Sequence, residues 1–380
     1  MRWSPCAANR SWHSAAVRSG LCLSIAASLA GCASGAADSP AKKKPAHAAS
    51  PSDEPEDDAP PAAIDAALPE LSDAAIAQSG ARPSVLEGSW YPSDPAKRDK
   101  LVLGLIERVE AGDKIPAAGI VVPHASLHYS GATAAEAYAR LAAPTTIVLM
   151  APDHSGGGEP VAVWTDGPWL LPGAIFEIDH QATDRLIQLI PDLVSDRVAF
   201  NAHEAEMQLP FIHVVAPAAK LIVVSMHDNS RLFFKDFDVE RVERFGAGLA
   251  KLYRELTAKG ERVTMISSVD MTHHEPLTDV ETKDPPLAEH IGALDVQGLY
   301  DYVTTKKISI CGEIPTSVLM SALRQLGYDA LNELALNNSY SVAMDETDVV
   351  GYLAAATWTD DPMHESPAPT LDSADDAGAP

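Results

Sequence analysis

The chain has 380 residues, with 53 Asp and Glu against 28 Lys and Arg and a formal net charge of −25. A phosphate-binding surface needs clustered Lys and Arg, and the central segment has no basic stripe, so nucleic acid is excluded as an expected partner. Much of the acidity sits near the ends, as in Asp53-Glu54-Pro55-Glu56-Asp57-Asp58 and residues 372–376, where it reads as solvated, disordered chain.

Residues 1–32 read as a lipoprotein signal peptide. Arg2, Arg10 and Arg18 precede a short apolar run, LCLSIAASLA, over 21–30, which is too short to span a bilayer comfortably. The run ends in Leu29-Ala30-Gly31-Cys32, which resembles a bacterial lipobox with Cys32 as the lipidated residue. The expectation is an exported domain held on a membrane surface, at the outer membrane or the outer face of the inner membrane, without a spanning helix. A plain signal peptide and a retained N-terminus are the alternatives. Loss of the leader removes Cys6 and Cys22, and Cys32 carries lipid. Cys311 is then the thiol left to the folded domain, so no disulfide framework forms. Such a thiol is either a buried small apolar group or a chemically used one.

Residues 33–80, rich in Ala, Pro, Asp and Lys, read as a flexible tether. Residues 81–358 read as one domain long enough to bury a substantial core, and 359–380 as a disordered acidic tail. Within the domain the pattern predicts strands over 117–122, 145–150, 161–164, 220–225, 263–268 and 349–358, with helices over 131–142, 182–190, 239–259 and 316–326. This alternation implies a single α/β domain, its mostly parallel or mixed central sheet flanked by helices.

In open α/β sheets, ligands gather beyond the carboxyl ends of strands. His124 follows Ile120-Val121-Val122-Pro123. His154 follows the predicted 145–150 strand by the turn Ala151-Pro152-Asp153. Asp270, His273 and His274 follow 263–268, and Cys311 follows Lys307-Ile308-Ser309-Ile310, whose alternation reads as a fourth strand exit. Two imidazoles and a thiolate form a borderline-soft set that suits iron(II), copper or zinc and is poor for Mg²⁺ or Ca²⁺. Three ligands leave a position open for water, O₂ or substrate. His203, Glu206, Asp270 and His273 are then candidates for acid–base or supporting roles. His203 and Glu206 share a face if their segment is helical; a capped surface helix is the alternative. The chain contains no phosphate-loop, nucleophile-elbow, HExxH or CxxC pattern.

Several motifs together resemble the Memo family, whose bacterial members are called AmmeMemoRadiSam system protein B. Arg82-Pro83-Ser84-Val85-Leu86-Glu87-Gly88-Ser89-Trp90-Tyr91-Pro92 looks like its opening motif. Pro123-His124-Ala125 with Tyr129-Ser130-Gly131 is similar to PHAGYxYSG, and Ala151-Pro152-Asp153-His154 to GPSH. Residues His203 to Phe211 resemble EHSLEVQLPF, and Ser268-Val269-Asp270-Met271-Thr272-His273 resembles SSDLSHY. Cys311-Gly312 and Val349-Val350-Gly351-Tyr352 resemble its CG and VVGY motifs. The resemblance implies a fold shared with class III extradiol dioxygenases and an iron or copper ion on His124, His154 and Cys311. It also implies that His203, Asp270 and His273 lie in the pocket.

Ser126 and Leu127 depart from the family's Gly-Tyr, Asp153 from a Ser, and Ala202 from a Glu. A carboxylate at Asp153 is expected to orient the neighbouring imidazole or to raise the local negative charge. Three functions are implied. One is a metal-dependent redox or dioxygenase-like enzyme acting on a small molecule or peptide, with His203 or His273 moving protons. The others are a metal-sequestering lipoprotein without turnover, and a peptide-binding module of the kind found in animal relatives. Oligomeric state is left open.

Overall fold

In the computed structural model, residues 79–154, 156–201, 204–227 and 238–359 are described. The predicted leader with Cys32, the tether up to residue 78, His203 and the tail from residue 360 lie outside the described residues. The elements in chain order are α1 (Pro95–Ile106), β1 (Ala117–Val122), α2 (Leu127–Tyr138), β2 (Thr146–Pro152), β3 (Val161–Val163), β4 (Trp169–Leu171), β5 (Ala174–Phe176), α3 (His180–Leu189), β6 (Val194–Ser195), α4 (Leu209–Val215), β7 (Lys220–Met226), α5 (Val239–Thr257), β8 (Val263–Ser268), α6 (Leu277–Gly292), α7 (Val296–Lys306), α8 (Glu313–Leu326), β9 (Asn332–Asn338), α9 (Tyr340–Ala343) and β10 (Gly351–Trp358).

Eight of the strands form one sheet in the order β6-β3-β7-β2-β8-β1-β10-β9. Its centre, β7-β2-β8-β1, is parallel. β3 runs antiparallel to β7, and β10 antiparallel to both β1 and β9. The domain is therefore α/β with a mixed sheet. The central strands are rich in apolar residues and buried almost throughout, the Thr and Ser of β8 included, as strands covered on both faces must be. Side chains are divided between two cores, alternating along β1 beyond the irregularity between Ala117 and Gly119. In β1, Ala118 and Val121 join a cluster with Phe245, Leu249, Val318 and Leu319 of α5 and α8, while Ile120 and Val122 join Tyr138, Phe211, Trp164 and Trp169 on the opposite face. Several helix starts are fixed by aspartate caps: Asp94, Asp179, Asp238 and Asp295 each accept a main-chain N–H from the first turn of α1, α3, α5 and α7, which satisfies donors with no partner inside the helix.

One sequence expectation needs correction. Residues 307–310 do not form a strand. Lys307 closes α7 in the left-handed conformation, with φ 54°, and the chain turns so that Cys311 alone meets the sheet, as an isolated bridge to Asp270. The stretch 277–292, to which the sequence pattern assigned no element, is helix α6 although it contains Pro285 and Pro286. Its Val280, Leu287 and Ile291 are buried, and that packing outweighs the two missing donors. β9, Asn-Glu-Leu-Ala-Leu-Asn-Asn, lacks the β-branched residues that mark strands; pairing with β10 at the sheet edge makes it one.

Candidate metal centre

Four parallel central strands end on one edge of the sheet. His124 lies two residues beyond β1, His154 two beyond β2, His227 directly beyond β7 and Asp270 two beyond β8. Cys311 reaches this edge from the opposite direction. Asp270 N–H donates to the Cys311 carbonyl at 3.0 Å, and Cys311 N–H donates to the Asp270 carbonyl at 2.9 Å. Gly312 makes this possible. It has φ 110°, and a Cβ there would lie 2.6 Å from the Ser268 carbonyl oxygen, so any side chain would push the Cys311 loop off the end of β8. Helix α8 begins immediately after, with Gly312 as its N-cap and Glu313 in its first turn.

One potential ligand atom each from His124, His154 and Cys311 lies within 4.8 Å of the others. The thiol is 1% exposed, and His154 Nε2 is in direct contact with its Sγ. The two imidazoles meet edge-on, with ring centroids 5.6 Å apart and an interplanar angle of 65°, so their nitrogens converge rather than stack.

The surrounding hydrogen bonds fix which nitrogen of each ring is available. Ser268 Oγ donates its single proton to the Glu204 carbonyl at 2.8 Å and accepts from Gln208 Nε2 at 2.8 Å. At His124 Nδ1, 3.2 Å away, it can therefore only accept, so Nδ1 carries the proton and Nε2 keeps its lone pair. Gln208 is fixed in turn, since its Oε1 accepts from Tyr138 Oη at 3.0 Å and its Nε2 donates to the Pro123 carbonyl at 3.0 Å. His154 Nδ1 meets the carboxylate of Glu204, an acceptor, which again places the proton on Nδ1 and leaves Nε2 facing Cys311. The ring nitrogens present an electron pair to one point beside a buried thiol, and this donor set fits an iron, copper or zinc ion.

Asp270 ties the loops together. Its Oδ1 accepts from His124 N–H at 2.8 Å and from Ala125 N–H at 3.3 Å. Its Oδ2 lies 3.9 Å from His124 Nε2 and 3.8 Å from His273 Nε2. Burial pushes this carboxyl up to about 7, with the two amide hydrogen bonds pulling the other way. Burial also raises the Tyr352 phenol, and the nearby charge of Asp270 adds to the effect. His273 is partly buried and anchored through its N–H to Ser309 Oγ at 3.0 Å. His274 takes φ 54° and pairs with the exposed Asp348, away from the triad.

The structure thus brings His124, His154, Cys311, Asp270 and His273 to one edge. Glu206 is placed elsewhere. Its carboxylate accepts from Arg82 Nη1 at 2.6 Å, Tyr91 Oη at 2.6 Å and the N–H groups of Val85 and Leu86 at 2.9 and 3.0 Å. It pins the Arg82–Tyr91 segment to the domain and does not face the ligands. Asp153 is buried beside the site, but its Oδ2 lies 3.3 Å from His227 Nε2, so it pairs with that imidazole while Glu204 meets His154. The sequence reading missed Glu204 and His227. His227 obeyed the same strand-exit rule as the others. Glu204 was hidden because helical spacing picked out the residues on either side of it, whereas the segment is a turn followed by a single 3₁₀ turn, Glu206–Gln208.

Comparison with known proteins gives a consistent result. A family model described as Memo-like protein matches residues 82–356. The MEMO1 family protein MK0963 of Methanopyrus kandleri is 31% identical over 288 residues, covering 72% of this chain and 97% of its own. The MEMO1 family protein Mbar_A1422 of Methanosarcina barkeri is 32% identical over 281 residues, covering 72% and 98%. A solved structure of the uncharacterized protein JW3007 from Escherichia coli K12 aligns with a TM-score of 0.45 at 12% identity, covering 64% of this chain and 100% of that one.

Proposed function

The chain belongs to the Memo-like family, and from that premise we propose that His124, His154 and Cys311 hold one iron or copper ion and that the protein is a metal-dependent redox enzyme of dioxygenase-like type, acting on a small organic or peptide substrate. The observation that carries this reading is the convergence of one ligand atom each from His124, His154 and Cys311 within 4.8 Å, each imidazole oriented from behind by a contact in which Nδ1 donates. Zinc fits the same donors; the redox reading requires iron or copper. When bound, iron or copper supplies Lewis-acid and one-electron redox chemistry at a position the three ligands leave open.

The chain's own residues do the rest. Asp270 holds the main chain of His124 and, through the Cys311 bridge, that of the thiol, so the ligands are pre-positioned. His273 presents Nε2 near Asp270 and is the group that holds or moves a proton beside the ions' ligands. His203 is its proposed counterpart. The proposed setting is an exported protein anchored by lipid on Cys32, which places the pocket outside the cytoplasm and next to a membrane surface.

The test is anaerobic purification followed by elemental analysis and oxygen uptake with a panel of small organic and peptide substrates. The expected result is stoichiometric iron or copper with uptake on at least one substrate. Stoichiometric metal without uptake would leave a sequestering protein, and zinc alone would remove the redox reading.

A further inference from the structure

We propose that Glu204 is a positioning residue of this centre: its carboxylate holds the His154 imidazole in the Nδ1–H tautomer and aims Nε2 at the point where Cys311 Sγ and His124 Nε2 converge. The inference rests on reading the triad as a metal site. Three observations carry it. Glu204 is 1% exposed, so its carboxyl needs polar partners inside the protein. Its Oε1 makes contact with His154 Nδ1 and also accepts from His154 N–H at 3.3 Å, so one oxygen grips both the ring and the main chain of the same ligand. Its carbonyl takes the Ser268 hydroxyl proton, which obliges Ser268 to accept from His124 Nδ1. One residue therefore sets the tautomer of both imidazoles, one through its side chain and the other through its backbone.

Glu206, two residues on, shows what a purely structural carboxylate looks like in this segment. It engages an arginine, a tyrosine and two amides of a distant loop. The Glu204 carboxylate instead meets a ligand imidazole. A carboxylate behind a ligating imidazole raises its basicity and fixes its direction, and loss of such a partner costs about 10–100-fold in metal affinity.

The experiment uses the full chain labelled with ¹⁵N-histidine, free of metal, as wild type, Glu204→Met and Glu204→Gln. Met keeps the length of the side chain in a buried place but offers no comparable acceptor, while the Gln amide oxygen can take the same proton. Nitrogen shifts report the His154 tautomer, and competition with a chelator for Zn²⁺ or Fe²⁺ reports affinity. The expected result is an Nδ1–H tautomer in wild type, its loss in Glu204→Met with affinity down about 10–100-fold, and its retention in Glu204→Gln. A folded Glu204→Met that keeps the tautomer, or that binds the ion as tightly as wild type, would overturn the inference, as would loss of the tautomer in Glu204→Gln. A wild-type chain that binds neither ion would instead overturn the metal-site reading, and the tautomer readout on the metal-free protein keeps the two failures apart.

Discussion

Asp270 and Cys311 exchange both main-chain hydrogen bonds, at 3.0 and 2.9 Å, and so lock a thiol that leads into a helix onto the end of a central parallel strand. The same aspartate fixes the main chain of His124 through its side chain. Two of the three candidate ligands are therefore held in place by one residue that is not itself a member of the triad, and the fold positions the site with backbone geometry as well as side chains.

Gly312→Ala should damage this junction. The residue sits at φ 110° with the Ser268 carbonyl in the way of a Cβ. A left-handed non-glycine costs on the order of 1–3 kcal/mol before any clash. Denaturant unfolding should show a loss of at least that size, and metal affinity should fall as Cys311 shifts. Wild-type stability would show that the close approach is not a constraint.

Glu206→Ala should separate stability from the site. Removing one partner of a buried pair takes the carboxylate away from the Arg82 charge, which keeps only neutral partners such as the Phe200 and Pro83 carbonyls, at a cost of about 3–5 kcal/mol. Unfolding experiments should show that loss, while the folded fraction should bind metal like wild type. Metal loss without destabilisation would put Glu206 in the pocket after all.

Asp284 should give stability a pH dependence. Its carboxyl accepts from Thr272 N–H and Oγ1 at 3.1 and 2.6 Å, while its Oδ2 occupies the space that a Cβ on residue 351 would need, which is why Gly351 stands there. Burial raises this carboxyl to about 6, with the Thr272 hydrogen bonds opposing. The folded state then holds a proton that the unfolded chain has already released. Stability from this group is fully present below the unfolded value near 3.8 and is lost as pH rises through about 6, an effect of order 3 kcal/mol at about 1.4 kcal/mol per unit. Unfolding measured from pH 3 to 8 should show this decline in wild type, and Asp284→Asn should make it shallower, leaving the part that the raised Asp270 carboxyl contributes. An equal slope in both proteins would assign the dependence to other groups.

The parallel centre of the sheet was legible because β1, β2, β7 and β8 are apolar runs bounded by turns, a pattern that burial on both faces imposes. His124, His154 and Asp270 follow these runs closely, so the strand-exit rule identifies them from sequence. Cys311 was reached by the right residue and the wrong element. Alternation over 307–310 imitates a strand, and only tertiary contact reveals that the residue enters as a single bridge in front of a helix. Glu204, Glu206 and Asp153 could not be sorted by sequence. All three are acidic residues near candidate histidines, and what separates them is which partner a turn, a 3₁₀ segment and a neighbouring strand place opposite each carboxylate.

For the proposed anchor, Cys32→Ala expressed in a bacterial host should move the protein from the membrane fraction to the soluble one, because an acyl chain contributes roughly 0.8 kcal/mol per buried methylene to membrane binding. Unchanged membrane association would remove lipidation at Cys32 from the account.

The most direct test of the central claim is metal content and X-ray absorption of the anaerobically purified full chain, wild type beside Cys311→Ser. The account predicts about one iron or copper ion per wild-type chain with a sulfur scatterer near ~2.3 Å, and its loss in a Cys311→Ser protein whose fold is unchanged by circular dichroism. Equal metal content in the two proteins, or a wild-type ion with no sulfur in its shell, would contradict it.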